Sequence, residues 1–174
     1  MLVFLCGMMG SGKTSLGKKI ASKLHWDFID LDHFIEQQEH KSVSEIFKLF
    51  GEAHFRNIET QSLEKIILNQ KNVIVALGGG TPCYNNNMEL INTNGLSIFL
   101  NVDINKIANR LLNAKNTRPL IAELDSYLKI KEFISTKMDE RISFYNQCKI
   151  VLEDNNISDD SLINSIHHYI SNQL

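Results

Sequence analysis

The sequence lacks paired cysteines and any pattern of metal-binding histidines. Its three cysteines are odd in number and form no CxxC pair, which argues against a disulfide framework or a zinc site. The six histidines include no HExxH spacing. We therefore expect a protein of a reducing, cytoplasmic compartment.

An excess of basic charge and a long apolar run are also absent. With 18 Lys and Arg against 20 Asp and Glu, the net charge is −2, so no basic field attracts nucleic acid or an anionic membrane. No stretch approaches the roughly 20 apolar residues of a membrane span. Residues 1–6 are apolar but lack the basic start and cleavage site of a signal peptide. Any anionic ligand must therefore be held by a few well-placed cations.

What the sequence does contain is an alternation of short apolar runs with longer helical segments. A length of 174 residues, 43% of them hydrophobic, fits a single domain over residues 1–174. The apolar runs predict strands at 2–6, 28–32, 73–77, 97–102 and 149–153. Helical periodicity predicts helices at 13–24, 52–70, 104–113, 126–147 and 160–173. Because strands covered on both faces are continuously apolar, we expect a doubly wound α/β fold with a five-stranded parallel sheet.

The segment GMMGSGKT at 7–14 fits the phosphate-binding pattern G-x-x-x-x-G-K-[ST] in full, between a predicted strand and a predicted helix. Glycines allow backbone N–H groups to converge on phosphate oxygens, and the start of the helix adds partial positive charge. We expect Lys13 to reach the β- and γ-phosphates and the Thr14 hydroxyl to join a Mg²⁺ shell. The alternative is a plain glycine turn, which the strand–loop–helix context disfavours.

Two carboxylates, Asp30 and Asp32, stand at the end of the second predicted strand, FIDLD. At positions i and i+2 of a strand they would point the same way, and an open parallel sheet binds ligands at the carboxyl ends of its strands. If this strand adjoins the strand that leads into the phosphate-binding segment (the P-loop), one carboxylate can bind water molecules in the shell of a metal. The other can then orient or deprotonate an acceptor hydroxyl. Alternatively, Asp32 caps a helix that begins near His33.

Two arginines have both a functional and a structural interpretation. Arg56 lies between Glu52 and Glu59 at helical spacing, which fits either an anion-binding arginine or a surface charge pair. Arg141, next to acidic residues on a predicted helix, is either a ligand-binding group or a solvated charge. Two arginine forks around one carboxylate would specify an anionic acceptor.

The triple glycine at 78–80 and Arg118 also allow two interpretations. Glycines at the carboxyl end of a strand permit close approach of a ligand, or they form a plain turn. Arg118 precedes a proline in the least regular stretch of the chain, where it binds a ligand or is an exposed loop arginine. For any one motif alone, the structural interpretation is reasonable. Because all of these motifs occur in one chain and in this order, we do not expect the structural interpretation to hold for every one of them.

Taken in order, the motifs resemble those of the shikimate kinase family. The matching segments are GMMGSGKTS at 7–15, FIDLD at 28–32, SVSEIFKLFGEAHFRNIET at 42–60, ALGGGTP at 76–82, TRPL at 117–120 and DERISFY at 139–145. The resemblance covers about residues 1 to 153. It implies a three-layer α/β/α P-loop fold like that of the nucleoside monophosphate kinases. It also implies phosphorylation of the 3-hydroxyl of shikimate by ATP, in the pathway to chorismate and the aromatic amino acids.

The resemblance implies roles for individual residues at the acceptor site. Asp32 would bind the acceptor hydroxyls and act as the catalytic carboxylate, while Arg56 and Arg141 would clamp the shikimate carboxylate. Glu59 would support Arg56 from one helical turn away. The other acceptor-site residues implied are Gly78, Gly79 and Gly80 beside the ring, and Val43, Phe47 and Phe55 on the apolar side of the pocket.

For the nucleotide, the resemblance implies ATP as co-substrate and Mg²⁺ as cofactor. The implied ATP-binding residues are Gly10, Ser11, Gly12, Lys13, Thr14, Ser15, Arg110 and Arg118. Lys13 and Arg118 would also be catalytic, and Thr14 would bind the metal. Asp30 would lie in the outer shell of the metal, through water.

Within one kinase domain, the resemblance assigns an acceptor-binding helical segment to about residues 33–61 and a lid to about residues 113–125. The lid is rich in Asn and Lys before TRPL and lacks the glycines often found there. Cys148 and KIVLE replace a more usual pattern of the family near the C-terminus. These departures leave the acceptor site intact and affect the residues that contact adenine. The resemblance favours a monomer.

Two other functions are compatible with this fold. One is another small-molecule kinase, such as a gluconate or nucleoside monophosphate kinase, although a nucleotide acceptor calls for a base pocket instead of arginines aimed at a carboxylate. The other is a regulatory module that has lost catalysis, which is disfavoured because Lys13, Asp30, Asp32 and Arg118 are all present. We therefore expect an active kinase whose partners are ATP and shikimate, with no nucleic acid or membrane.

Overall fold

The computed structural model describes residues 1–113, 124 and 126–172, and an all-parallel sheet of five strands lies at its centre. The strands are β1 (Leu2–Cys6), β2 (Asp27–Asp30), β3 (Val73–Ala76), β4 (Leu96–Asn101) and β5 (Ile150–Glu153). Their order across the sheet is β2-β3-β1-β4-β5. The predicted α/β class, parallel pairing and strand number are therefore confirmed.

Helices flank the sheet and connect its strands. They are α1 (Lys13–Leu24), α2 (Leu31–Glu39), α3 (Val43–Asn69), α4 (Asn87–Asn94), α5 (Ile104–Asn113), α6 (Tyr127–Tyr145) and α7 (Asp159–Ser171), with short 3₁₀ turns at Thr81–Cys83 and Asp154–Asn156. Helical periodicity predicted α1 and α5 with their observed bounds, but it missed α4, whose sequence NMELINTN has no regular apolar stripe. Among the described residues, no helix has both the length and the apolar character needed to cross a membrane.

The centre of the sheet forms the core because β1 and β3 have neighbours on both edges. Every residue of these two strands is buried, whereas the residues of the edge strand β2 are exposed or half-buried. Leu2 pairs with Val73 on one side of β1, and Val3 pairs with Leu96 on the other. The strand that leads into the P-loop is thus held at the middle of the molecule.

The second strand differs from its prediction in three ways. It ends at Asp30, so Asp32 lies in the first turn of α2 and does not follow the strand alternation that we expected. Asp30, and not Asp32, caps that helix, since its side chain accepts a hydrogen bond from the backbone N–H of His33. Strand β3 separates β2 from the P-loop strand. Leu31 is apolar because it is a buried residue of α2, so the segment FIDL extends across the junction between β2 and α2. The end of the strand could therefore not be recognised from the sequence.

Helix α3 is two helical segments joined at Gly51. The backbone of Gly51 has φ 81° and ψ 172°, which interrupts the helix. The first segment begins with a capping box, in which Ser42 and Glu45 satisfy each other's backbone N–H groups. Our predicted helix began at residue 52 because the second segment carries the regular apolar stripe. The kink sets the direction in which that second segment presents Arg56 and Glu59.

Candidate functional site

The P-loop forms a turn that only glycine adopts easily. Gly7, Gly10 and Gly12 have φ of 135°, 79° and 97°, in the left-handed region. A Cβ on Gly7 would lie 2.9 Å from the carbonyl oxygen of Leu100, so a side chain is excluded by space as well as by conformation. Gly12 is the N-cap of α1, and the N-terminus of this 12-residue helix therefore opens into the turn.

Lys13 crosses the mouth of the P-loop. Its side chain is buried, and its Nζ donates hydrogen bonds to the carbonyl oxygens of Gly7, at 2.8 Å, and Met8, at 2.9 Å. These carbonyls hold the ammonium inside the loop that would cradle phosphate. Such an arrangement fits a cation that reaches the β- and γ-phosphates of a nucleotide.

A cavity of about 870 Å³ joins the P-loop to the carboxyl ends of the strands. Its lining includes residues 9–16 of the loop and first helical turn, together with Asp30, Asp32, Gly78, Gly79 and Arg110. Ser11 Oγ is buried in this loop and has no hydrogen-bond partner among the described residues. A buried polar atom of this kind calls for a ligand with hydrogen-bonding groups, which fits the phosphate oxygens of a nucleotide.

Thr14, in the first turn of α1, and Asp30, at the end of β2, are brought together although β2 is not adjacent to β1, the strand that leads into the P-loop. The Thr14 hydroxyl donates a hydrogen bond of 2.7 Å to Asp30 Oδ2. Helix α1 packs against both β2 and β3, so its first turn reaches the end of β2 across the intervening strand. A hydroxyl and a carboxylate at the phosphate cradle are hard oxygen ligands of the type that Mg²⁺ prefers. No cluster of three metal-binding side chains occurs among the described residues, so a magnesium ion there would depend on phosphate and water for its other ligands.

Asp32 occupies an environment that disfavours its charge. Burial, together with the nearby carboxylates of Glu59 and Asp30, raises the pKa of Asp32 to about 6, while the ammonium of Lys13 acts in the opposite direction. A carboxylate with a pKa near neutrality is a better proton acceptor than an ordinary one. The role of Asp32 as a base remains a prediction.

Gly78 provides the space in which three side-chain oxygens converge. A Cβ on Gly78 would lie 2.9 Å from Asp32 Oδ1, Glu59 Oε1 and Thr81 Oγ1. The Thr81 hydroxyl donates to Glu59 Oε1, and Thr81 is fully buried. The motif analysis did not single out Thr81, although a hydroxyl residue directly after a triple glycine was a usable signal.

Arg56 is almost buried and is held by carboxylates on both sides. Its Nη1 donates to Glu59 Oε2 at 2.7 Å, and its Nε and Nη2 donate to Glu52 Oε1 at 3.2 and 3.0 Å. A Cβ on Gly80 would lie only 2.7 Å from Arg56 Nη2 and 2.9 Å from Nη1. The predicted support of Arg56 by Glu59 is thus present as an ion pair, and glycine at position 80 leaves room for the guanidinium.

Arg141 lies next to the middle residue of the triple glycine. A Cβ on Gly79 would be 3.1 Å from Arg141 Nη1, and the same nitrogen lies 4.0 Å from Met8 Sδ. One helical turn later, the Tyr145 hydroxyl donates to the carbonyl oxygen of Gly79 and lies 3.6 Å from Met8 Sδ. Tyr145 therefore ties the glycine segment to α6, a role that its place in the R-x-x-x-Y motif alone did not reveal.

The apolar residues predicted for the acceptor pocket lie next to Arg56. The rings of Phe47 and Phe55 are 4.5 Å apart between centroids, and Arg56 Cζ lies 5.8 and 5.3 Å from them. Phe55 is buried, whereas Phe47 and Val43 are half-buried and pack against the core. Their contact with an acceptor remains a prediction.

The two remaining arginines differ in what the structure describes. Arg110, on α5, donates from Nη1 to the carbonyl oxygen of Gly10 at 3.1 Å and lines the cavity, so it lies at the nucleotide end of the site. Arg118 and nearly all of the predicted lid at 113–125 lie outside the described residues, and their roles remain predictions.

Comparisons with known proteins agree with this geometry. The family model of shikimate kinase matches residues 9–171. A shikimate kinase of Azobacteroides pseudotrichonymphae is 44% identical over 149 residues, which cover 86% of this chain and 87% of the relative. A 1.7 Å crystal structure of shikimate kinase from Bacteroides thetaiotaomicron has a TM-score of 0.85 at 37% identity, covering 99% of this chain and 97% of that one. Shikimate kinase from Acinetobacter baumannii in complex with shikimate has a TM-score of 0.84 at 28% identity, covering 99% and 94%.

Proposed function

This chain belongs to the shikimate kinase family, and on that premise we propose that it transfers the γ-phosphoryl group of ATP to the 3-hydroxyl of shikimate. The products are shikimate 3-phosphate and ADP. The observation that carries the proposal is the cavity that joins a lysine-bearing P-loop to Asp32 and the glycine segment. One end of this cavity suits nucleotide phosphates and the other suits a hydroxylated acceptor.

The phosphate end of the site binds and positions the donor. The amides of the P-loop and the N-terminus of α1 hold the phosphate oxygens, and Lys13 neutralises charge on the β- and γ-phosphates. Mg²⁺ bound by the Thr14 hydroxyl, with Asp30 linked to it through water, would neutralise further phosphate charge. Arg118 is proposed to reach the γ-phosphate from the lid.

The acceptor end of the site activates one hydroxyl. Asp32 orients the 3-hydroxyl and accepts its proton as the oxygen attacks the γ-phosphorus. The new O–P bond forms as the bond from that phosphorus to the β–γ bridging oxygen breaks, and the electron pair leaves with ADP. The raised pKa of Asp32, about 6, lets it accept the proton at neutral pH.

The shikimate carboxylate is proposed to bind between Arg56 and Arg141. The guanidinium groups of Arg56 and Arg141 lie next to the glycine segment, at Gly80 and Gly79 respectively. A carboxylate between two guanidinium groups gains charge-assisted hydrogen bonds that an uncharged acceptor cannot make. An acceptor without a carboxylate should therefore be phosphorylated poorly.

We also propose that the enzyme is a cytoplasmic monomer, organised as one kinase domain with an acceptor segment at about 33–61 and a lid at about 113–125. ATP is supplied in the cytoplasm, and the resemblance to the family favours a monomer. Sedimentation of the protein with and without ligands would test the oligomeric state.

The decisive experiment is ADP release with a panel of acceptors. We expect rapid release with shikimate and little with gluconate or nucleoside monophosphates. Lys13→Ala should abolish turnover because the cation that neutralises phosphate charge in the cradle is lost. Lys23→Ala is the matched control, since Lys23 lies on the same helix and pairs with Asp159 away from the cavity. Equal activity with shikimate and a nucleoside monophosphate would contradict the proposal.

A further inference from the structure

Two residues that the proposed chemistry does not use, Glu52 and Tyr84, hold Arg56 in place. Glu52 Oε1 accepts three hydrogen bonds, from Arg56 Nε and Nη2 and, at 3.0 Å, from the Tyr84 hydroxyl. The Tyr84 ring also covers the guanidinium, with its centroid 4.3 Å from Arg56 Cζ. Tyr84 therefore contacts both the arginine and the carboxylate that fixes its edge.

These contacts join separate parts of the chain. Glu52 and Arg56 are in α3, directly after the kink at Gly51, whereas Tyr84 lies in the loop that follows the triple glycine. The Glu52 side chain is 54% exposed, compared with 11% for Arg56. Ion pairs with so exposed a partner contribute little to stability, so fold stability alone does not account for Glu52.

The arginine keeps hydrogen-bonding capacity for a ligand. A guanidinium has five N–H donors, and the hydrogen bonds of Arg56 with described residues use three of them. One N–H remains on Nη1 and one on Nη2. Two such donors bind a carboxylate well only if the guanidinium plane is correctly oriented. An arginine without fixed neighbours would lose side-chain entropy when it adopts that orientation.

We propose that Glu52 and Tyr84 are positioning residues that fix the orientation of the Arg56 guanidinium plane. In this orientation its remaining N–H groups can donate hydrogen bonds to the carboxylate of the acceptor. The inference rests on the proposed function, because it takes the ligand of Arg56 to be that carboxylate. The carboxylate does not react, so its contact with Arg56 has the same strength in the bound substrate and in the transition state. Loss of the contacts with Glu52 or Tyr84 therefore raises KM for the acceptor and leaves kcat nearly unchanged.

Three variants separate the contributions. Tyr84→Phe removes the hydroxyl and keeps the ring, Tyr84→Leu removes both, and Glu52→Gln removes the charge. We expect KM for shikimate to rise about threefold in Tyr84→Phe and about tenfold in the other two, with KM for ATP unchanged.

A matched control is available at the far end of the chain. Tyr169 on α7 also combines a cation near its ring with a hydrogen bond at its hydroxyl, since Lys149 Nζ lies 5.0 Å from its ring centroid and donates to its hydroxyl at 2.7 Å. Tyr169→Leu should leave KM for shikimate unchanged. Thermal unfolding of each variant reports whether it is folded. If Tyr84→Leu does not fold, Tyr84→Phe and Glu52→Gln still test the proposal.

A double-mutant cycle connects the effect to Arg56. In an Arg56→Lys background, Tyr84→Leu should weaken shikimate binding, measured by calorimetry, by less than twofold, because the guanidinium that it positions is gone. An unchanged KM in all three single variants, a fall in KM, or an equal loss in both backgrounds would overturn the inference. If the wild-type protein released no ADP with shikimate, the proposed function itself would fail, and this outcome is read from the wild type alone.

Discussion

Asp32 and Glu59, from two different helices, each place a carboxylate oxygen 2.9 Å from the position that a Cβ on Gly78 would occupy. Glu59 is satisfied by Arg56 and Thr81, whereas Asp32 has like-charged neighbours and is proposed to face the acceptor. Because their surroundings differ, we propose different tasks for these two neighbouring carboxylates, a structural one for Glu59 and a chemical one for Asp32.

Asp32→Asn should remove the proposed base while conserving its shape. We expect kcat to fall by about 10²–10⁴-fold, the usual range for general-base assistance, with little change in ATP affinity. Steady-state ADP release and nucleotide titration would measure the two effects. A loss of less than tenfold would assign Asp32 a structural role.

From the raised pKa of Asp32 we predict that activity increases as the pH rises, whereas the stability of the fold decreases. Because the base must be ionised, kcat/KM should decrease as the pH falls through about 6. The folded pKa lies above the unfolded value of 3.8, so the charged form of Asp32 destabilises the fold above pH 6 by up to about 3 kcal/mol. That destabilisation disappears between pH 6 and pH 4, where the folded state binds the extra proton.

Asp32→Asn provides the control for both effects. Its activity should not show the titration near pH 6, and its Tm should exceed that of the wild type at pH 8 and approach it at pH 4. A Tm difference that does not change with pH would contradict the assignment of the raised pKa to Asp32.

Substitutions in the glycine segment 78–80 should affect catalysis and acceptor binding separately. Gly78→Ala pushes Asp32 from its position, so we expect kcat to fall by about 10²-fold, the cost of a misplacement near 1 Å. Gly80→Ala contacts Arg56 instead and should raise KM for shikimate by about tenfold or more. Gly51→Ala is the control for a loss of stability alone, because its φ of 81° and ψ of 172° are unfavourable for alanine but a Cβ there has no neighbour within 4 Å. It should cost about 1–3 kcal/mol of stability without a loss of kcat.

Arg141→Lys should weaken shikimate binding, because an ammonium cannot reproduce a planar fork. The loss of a buried charge-assisted contact corresponds to roughly 2–5 kcal/mol, and ATP binding should be spared. A shikimate methyl ester, tested against the wild type, should show a comparable loss. An ester that binds as well as the acid would remove the carboxylate from the recognition scheme.

Arg118→Ala tests the proposed lid. If Arg118 pairs with γ-phosphate oxygens only as charge redistributes in the transition state, kcat should fall more than KM for shikimate rises. Hydrogen exchange at 113–125 should be slower with ADP and shikimate bound than in the free protein. A few-fold change in kcat together with unchanged exchange would exclude a catalytic lid.

Long-range and local features of the fold were predictable from the sequence to different degrees. The five strands and the helices α1 and α5 follow from apolar runs and periodicity, because burial on a sheet or helix face imposes those patterns directly. The order of strands does not leave such a pattern, and β3 was not expected between β2 and the P-loop strand. Likewise, the strand–helix junction at Asp30 was invisible because both Ile29 and Leu31 are apolar, each for a different structural reason.

Candidate site residues that stand in a motif were predicted, whereas residues whose partners lie far away along the chain were not. Lys13, Asp32, Arg56 and Arg141 stand in recognisable contexts, and the structure brings them to the same edge of the sheet as the triple glycine. Thr81, Tyr84 and Tyr145 gain their partners only through tertiary contacts, with residues more than 20 positions away. Spacing along the chain carries no information on such contacts.

The central place of β1 in the sheet has a consequence for biosynthesis. Leu2 pairs with Val73 and Val3 with Leu96, so both edges of this apolar strand stay unpaired until later parts of the chain have been made. At about 5–20 residues per second, that interval lasts on the order of ten seconds. During this time LVFLC is an uncharged strand without partners, and such a strand can pair with another chain.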